Sequence, residues 1–170
     1  MAGGAVVVVL MGVSGAGKTA VGTRLAKALG GTFVEGDDFH PPANVAKMRS
    51  GVPLDDADRQ PWLETLSREI GAWLEAGRTV VLACSALKQR YRDILKAGRP
   101  GVRFVHLKGD EDLIRQRLEH RRGHYMPASL LDSQLAALEE PADAITVGID
   151  ASPDAIVAEI QKALAVTFAT

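Results

Sequence analysis

One cysteine, Cys84, leaves this chain of 170 residues without an internal disulfide, which fits a reducing, cytoplasmic setting. Neither sign of charge prevails. Lys and Arg number 20 against 21 Asp and Glu, a net charge of −1, so no global field would draw the chain to nucleic acid or to an anionic membrane. No apolar run is long enough to span a bilayer, and the one at 5–11 lacks the basic lead of a secretion signal. No repeat, low-complexity tract or long linker divides the sequence. A single domain over 1–170 is therefore expected, with 46% hydrophobic and 24% charged residues giving an ordinary core and surface. Cys and His are nowhere spaced as ligands of a structural zinc, and the absence of an Asn-Lys-x-Asp run to read guanine sets a GTPase aside.

Against those absences stands the run Gly12-Val13-Ser14-Gly15-Ala16-Gly17-Lys18-Thr19, which fits the phosphate-binding pattern G-x-x-x-x-G-K-[ST]. The apolar run 5–11 leads into it and an amphipathic stretch, 18–29, leads out. Backbone N–H groups of such a loop wrap a di- or triphosphate, and long side chains would block that approach. Gly12, Ser14, Gly15, Ala16 and Gly17 are therefore expected around the phosphates of ATP. Lys18 would reach the β- and γ-phosphates, Thr19 would offer its hydroxyl to Mg²⁺, and the helix N-terminus adds partial positive charge. The bland alternative is a glycine-rich turn with an accidental lysine, and motif, flanks and position together argue against it.

Five short runs rich in Val, Ile, Leu and Phe (5–11, 32–35, 79–83, 103–107 and 145–149) read as strands covered on both faces. Helical spacing falls between them. Val21, Leu25 and Leu29 mark a first helix stopped by Gly30-Gly31, and Leu63, Leu66, Ile70 and Trp73 a longer one ending at Gly77. Leu87, Tyr91 and Ile94 mark a third; Leu113, Ile114 and Leu118 a fourth; Leu130, Leu131, Leu135 and Leu138 a fifth, halted by Pro141. Ser152-Pro153-Asp154 opens the last with a cap, a proline and an acid. This alternation implies a parallel α/β sheet with right-handed crossovers, its ligands gathered at the carboxyl ends of the strands.

The residues at those ends are then the candidates. Transfer of a γ-phosphoryl group to an alcohol needs positioning, charge neutralisation and a carboxylate to orient or accept the hydroxyl proton. After the second strand, Glu35-Gly36-Asp37-Asp38 offers three. Asp37 is the first choice as base and Glu35 is assigned to the Mg²⁺ side; Asp38 is able to exchange roles with Asp37, or merely to form a turn. His40 and Asn44, four apart where a short helix begins after Pro41-Pro42, are expected to face one substrate together.

At this point the chain resembles the gluconokinase family of ATP-dependent sugar-acid kinases. The likeness lies in Gly36-Asp37, His40-Pro41, Asn44, Lys47-Met48, Gly51-Val52-Pro53-Leu54, Asp58-Arg59 and Pro61-Trp62-Leu63. It continues through Cys84-Ser85-Ala86-Leu87-Lys88, Tyr91-Arg92-Asp93, Leu107-Lys108-Gly109, Arg122-Gly123-His124, Gln134, Leu138-Glu139 and Pro141. It covers nearly the whole chain. One departure is that relatives commonly read Asp-Gly-Asp where this chain reads Glu35-Gly36-Asp37. The resemblance implies ATP-dependent phosphorylation of D-gluconate at its terminal hydroxyl, giving 6-phosphogluconate. It also implies a homodimer and a three-layer α/β/α P-loop kinase fold with strand order 2-3-1-4-5 and a mobile lid.

Gluconate is a small polyhydroxy anion, so its site should hold cationic donors and mixed polar groups. Ser85 at the third strand's exit, then Lys88 and Arg92 spaced four apart, are assigned to it, with Arg49 and Arg59 from the acceptor-binding segment 37–63. Trp62 is expected to pack beneath that segment. By likeness to kinases of this shape, the arginine-rich stretch at about 117–130 is a lid over ATP, with Arg117 near adenine, Arg121 on the phosphates and Gly123 as hinge, while Arg115 is left to solvent. Pro153 is assigned to the adenine border. The alternatives kept are a kinase for another small acceptor, such as shikimate, and a non-catalytic ATP-binding module. Lys18→Ala is expected to abolish phosphoryl transfer while leaving the fold intact by circular dichroism; normal turnover would remove the nucleotide site from Gly12–Thr19.

Overall fold

Each of the five β-rich runs forms a strand in the computed structural model, which describes residues 5–119 and 128–168. The elements follow as β1 (Val6–Met11), α1 (Lys18–Leu29), β2 (Thr32–Glu35), α2 (Pro42–Arg49), α3 (Asp56–Glu75), β3 (Thr79–Ala83), α4 (Gln89–Lys96), β4 (Val102–Lys108), α5 (Glu111–Glu119), α6 (Ala128–Ala137), β5 (Ile145–Gly148) and α7 (Pro153–Phe168). The five strands are parallel and ordered β2-β3-β1-β4-β5, the order the resemblance implied. β1 is the central strand, so its side chains have helices over both faces and residues 7–11 are all fully buried. Val8 and Leu10 point into a core shared with α1 and α7; Val7, Val9 and Met11 point into one shared with α3 and α4. Burying each such side chain is worth roughly 1.5–3 kcal/mol, which anchors the turn that follows Met11.

Three local features depart from the sequence expectation. α3 begins at Asp56, well before Leu63, because Asp55 and Asp58 form a reciprocal capping box. α4 begins only at Gln89, with Lys88 as its N-cap, so Leu87 packs in the core from the loop before the helix and not from the helix itself. The chain reaches that start through Ala86, which adopts a positive φ of 45°. Between β2 and α2, Gly36–Phe39 makes one 3-10 turn. The last helix opens as expected, the Ala155 N–H donating to Ser152 Oγ at 3.2 Å. Among the described residues no helix is long and apolar enough to cross a membrane.

Gly36 fixes how β2 ends. A Cβ on it would lie 2.5 Å from the main-chain oxygen of Ala83, at the end of β3, so the two strand ends are packed backbone to backbone. Gly36 O in turn accepts the indole N–H of the buried Trp62 at 2.8 Å. Gly36→Ala must push β2 from β3, and a loss of about 1–3 kcal/mol is expected. A chemical melt of the variant checks it; unchanged stability would mean that the strand ends separate freely.

Candidate active site

The loop from Gly12 to Thr19 has the conformation its glycines allow. Gly15 and Gly17 take φ values of 87° and 93°, which side-chain-bearing residues rarely adopt, and a Cβ on Gly15 would meet Leu118 and Ile114 at 3.0–3.1 Å. α1 starts at Lys18 with no side chain capping it, so its first N–H groups point, unclaimed by a cap, into the loop. Lys18 Nζ donates to Gly12 O at 2.8 Å and to Val13 O at 3.1 Å, which lays the ammonium across the loop's mouth. These donors fit an anionic phosphate group.

On the far wall Thr19 Oγ1 donates to Glu35 Oε2 at 2.9 Å, joining the loop to the end of β2. Burial raises the Glu35 carboxyl above the usual carboxylate range; Asp37 and Asp38 push the same way, while the Thr19 hydrogen bond and Lys18 oppose them. Among the described residues no group of three or more His, Cys, Asp or Glu side chains is placed to hold a metal ion. A Thr hydroxyl beside one carboxylate is instead the sparse donor set on which a hydrated Mg²⁺ depends when phosphate oxygens supply further ligands.

A cavity of about 160 Å³ opens beside this pair. Ser14 and Lys18 line it from the loop, Glu35, Asp37 and His40 from the exit of β2, and Cys84 and Ser85 from the exit of β3. Met48, Val52, Pro53 and Leu54 make an apolar side, with Arg59 and Trp62 behind them and Ser133 and Gln134 arriving from α6. Asp37 lines the cavity and Asp38 does not, which separates two carboxylates that sequence left interchangeable. Cys84 is a buried free thiol pushed up to about 12, chiefly by burial, and is inert as a nucleophile at neutral pH.

The expected cations divide. Arg59 borders the cavity, its guanidinium donating to Leu54 O at 2.7 Å and to the Tyr91 hydroxyl at 3.3 Å. Arg49 is exposed at the end of α2, away from the cavity lining. Lys88 does not line the cavity either; it pairs with Asp56 at 3.0 Å, and Asp56 also accepts from the Tyr91 hydroxyl. Arg92 turns inward. It is 2% exposed and donates to Ala86 O, Leu87 O and Glu139 O at 2.7–3.1 Å, so it ties the chain after β3 to the segment after α6. The four-residue spacing of Lys88 and Arg92 does not put them on one face, because the helix starts after Lys88. Asn44, 3% exposed, sits behind the cavity wall, where it contacts His40 and Asp58.

On the nucleotide side, Arg117 Nη2 donates to Ile149 O at 2.6 Å, while its Nη1 lies 4.0 Å from where a Gly17 Cβ would be, so its guanidinium bridges the loop and the exit of β5. Pro153 is the first residue of α7, beyond that exit. Arg115 is not left to solvent: it pairs with Glu111 on its own helix and with Asp132 on α6. Arg121, Arg122, Gly123 and His124 lie outside the described residues. Gln134 belongs to the family likeness, but no local pattern pairs it with the phosphate loop. Gln134 Oε1 accepts the Ser14 N–H at 2.7 Å and its Nε2 donates to Ser14 Oγ at 3.1 Å, across 120 positions of sequence.

A phosphate loop on the central strand of a parallel 2-3-1-4-5 sheet, facing carboxylates at the next strand's exit, defines a P-loop small-molecule kinase. Residues 7–141 match the family model described as an AAA domain. The chain is 49% identical over 155 residues to the gluconokinase of Gluconobacter oxydans, covering 89% of this chain and 87% of that one. The crystal structure of a gluconokinase from Sinorhizobium meliloti superposes with a TM-score of 0.84 at 41% identity, covering 99% and 98% of the two chains. An unliganded sugar kinase from Janibacter gives 0.87 at 44% identity over 93% of each. This chain belongs to the gluconokinase family.

Arg92→Ala is expected to lower stability by about 1–3 kcal/mol, since the buried Ala86 O and the part-buried Glu139 O lose their donor, while Leu87 O keeps the Glu139 N–H at 2.7 Å. Its KM for the acceptor should stay within twofold or so of the parent, as measured on the folded fraction. A large rise in KM with full stability would return Arg92 to the substrate.

Proposed function

We propose that this chain transfers the γ-phosphoryl group of ATP to the terminal hydroxyl of D-gluconate, giving 6-phospho-D-gluconate and ADP. The observation that carries the reading is a cavity lined both by Lys18 of the phosphate loop and by Asp37 at the exit of β2, in a member of the gluconokinase family. The loop N–H groups and Lys18 bind the phosphates, and Arg117 meets the nucleotide near its base, with Pro153 at the adenine border. Arg121 acts on the phosphates from a lid at about 117–130. Thr19 and Glu35 would hold Mg²⁺ through hydroxyl and carboxylate, and the ion would supply charge neutralisation for the transferred phosphate.

Asp37 orients the acceptor hydroxyl and takes its proton as the O–P bond forms and the bond to the ADP oxygen breaks. Its exposed carboxylate is reachable from the cavity, in support of that role. Arg59 is the cationic donor for the gluconate carboxylate, and Ser85 serves the polyol. Arg49 and Lys88 stand outside the cavity lining, so the acceptor reading rests on the groups that border it. The reading includes one domain over 1–170, with residues 37–63 as its acceptor-binding segment. A cytoplasmic homodimer completes it; the single buried thiol agrees with a reducing compartment.

ADP release measured with gluconate, shikimate, glycerate and nucleoside monophosphates as rival acceptors tests the proposal. Gluconate should lead in kcat/KM by about 10²-fold or more, because a site built around several hydrogen-bonding groups rejects acceptors that leave them unpaired. Faster turnover of another acceptor would reassign the substrate. No turnover with any of them would favour a nucleotide-binding module without catalysis.

A further inference from the structure

The main-chain oxygen of Asp58 settles the protonation of a histidine on the neighbouring segment. Asn44 Nδ2 lies 2.8 Å from that oxygen. A carbonyl only accepts, so the end of the Asn44 amide facing it is the NH₂ group. The same nitrogen is 3.1 Å from His40 Nδ1, and its second hydrogen points there. Nδ1 must therefore present its lone pair, which leaves the proton of the neutral ring on Nε2. Nε2 faces Asp37 Oδ1 at 3.7 Å.

The ring has no other freedom. It stacks on Trp62 with centroids 4.1 Å apart and planes 17° from parallel, and only 3% of the His40 side chain is exposed. Trp62 is itself held by its indole N–H on Gly36 O, the residue next to Asp37. Burial lowers the imidazole's affinity for a second proton and Arg59 adds to that, against an opposing pull from Asp37. The ring is thus a neutral donor with both nitrogens assigned, Nδ1 to Asn44 and Nε2 toward Asp37. It retains no free lone pair for an acceptor's hydroxyl hydrogens; of the two residues expected at the substrate, His40 borders the cavity as a donor and Asn44 stands behind it.

We propose that His40 is a positioning residue for Asp37: locked by Asn44 as the Nε2–H tautomer, it holds one carboxylate oxygen so that the other is turned to the acceptor hydroxyl. The 3.7 Å separation lies just outside hydrogen-bonding range, and catalytic contacts of this kind tighten in the Michaelis complex. The inference rests on the role given to Asp37 above.

A double-mutant cycle with His40→Phe, which keeps the ring stack but lacks the N–H, and Asp37→Asn tests it. Asp37→Asn should lower kcat by ~10²–10⁴-fold. His40→Phe should lower kcat about tenfold with little change in the KM for gluconate, and should add nothing in the Asp37→Asn background. His40→Gln, whose amide N–H can reach Asp37, should recover part of the loss. Independently of folding in any His40 variant, ¹⁵N–¹H correlation spectra of the parent protein should report a neutral His40 protonated at Nε2, with that preference lost in Asn44→Leu. A full tenfold loss on top of Asp37→Asn, a raised KM with unchanged kcat, or an Nδ1–H ring would overturn the inference while leaving Asp37 as base. An unchanged kcat in Asp37→Asn would overturn the base assignment itself, and the inference with it.

Discussion

The backbone contact between Gly36 and Ala83 sets the geometry on which the cleft depends. Because no side chain separates the ends of β2 and β3, the residues leaving both strands converge on one side of the phosphate loop. Glu35 stands before the contact and bonds Thr19; Asp37 stands after it and faces the cavity; Cys84 and Ser85 enter from the other strand. Trp62 reads the same joint from below, its indole donating to Gly36 O and its ring carrying His40. A displacement of Gly36 would therefore alter the metal-side pair, the carboxylate and the histidine together.

The electrostatics of this joint set one acid against its neighbours. Glu35, Asp37 and Asp38 are crowded into four residues, and burial already disfavours the Glu35 charge. For an acid whose pKa is raised on folding, stability is fullest below its unfolded pKa and is lost as pH rises toward the raised folded value. Lys18 opposes the effect from across the loop while its ammonium rests on Gly12 O and Val13 O. Under the proposed function, a Mg²⁺ between these carboxylates and the phosphates would offset that repulsion.

Much of this was legible in the sequence because it is local. Strand, loop and helix are adjacent around Lys18, and the acids follow directly on β2, so periodicity and the rule for strand ends locate them without distant contacts. The rest depends on where helices begin and which way they face. Lys88 and Arg92 have helical spacing, but Lys88 caps the helix and Arg92 is drawn inward by carbonyls freed at the Ala86 turn. Nothing in the spacing of two cations separates a ligand-facing pair from a buried clamp. His40 and Asn44 show the converse: His40 precedes α2, so the two do not share a helical face, yet they meet each other across its start.

Gln134 lies furthest from what any local pattern reveals, and it bears on how the loop divides its donors. The Ser14 N–H carries a single hydrogen, already given to Gln134 Oε1, while the Gln134 amide returns a hydrogen to Ser14 Oγ. Ser14 thus belongs to a bracket between loop and α6; beyond it come Gly15, with its positive φ, and the start of α1, which no side chain caps. Arg115 ties α5 to α6 through Asp132, and Arg117 reaches from α5 past Gly17 to the exit of β5. Helices far along the chain, α5 and α6, therefore add to the loop's own hydrogen bonds in fixing its conformation. That long-range bracing lets so glycine-rich a segment hold one shape, since its own residues restrict the backbone least.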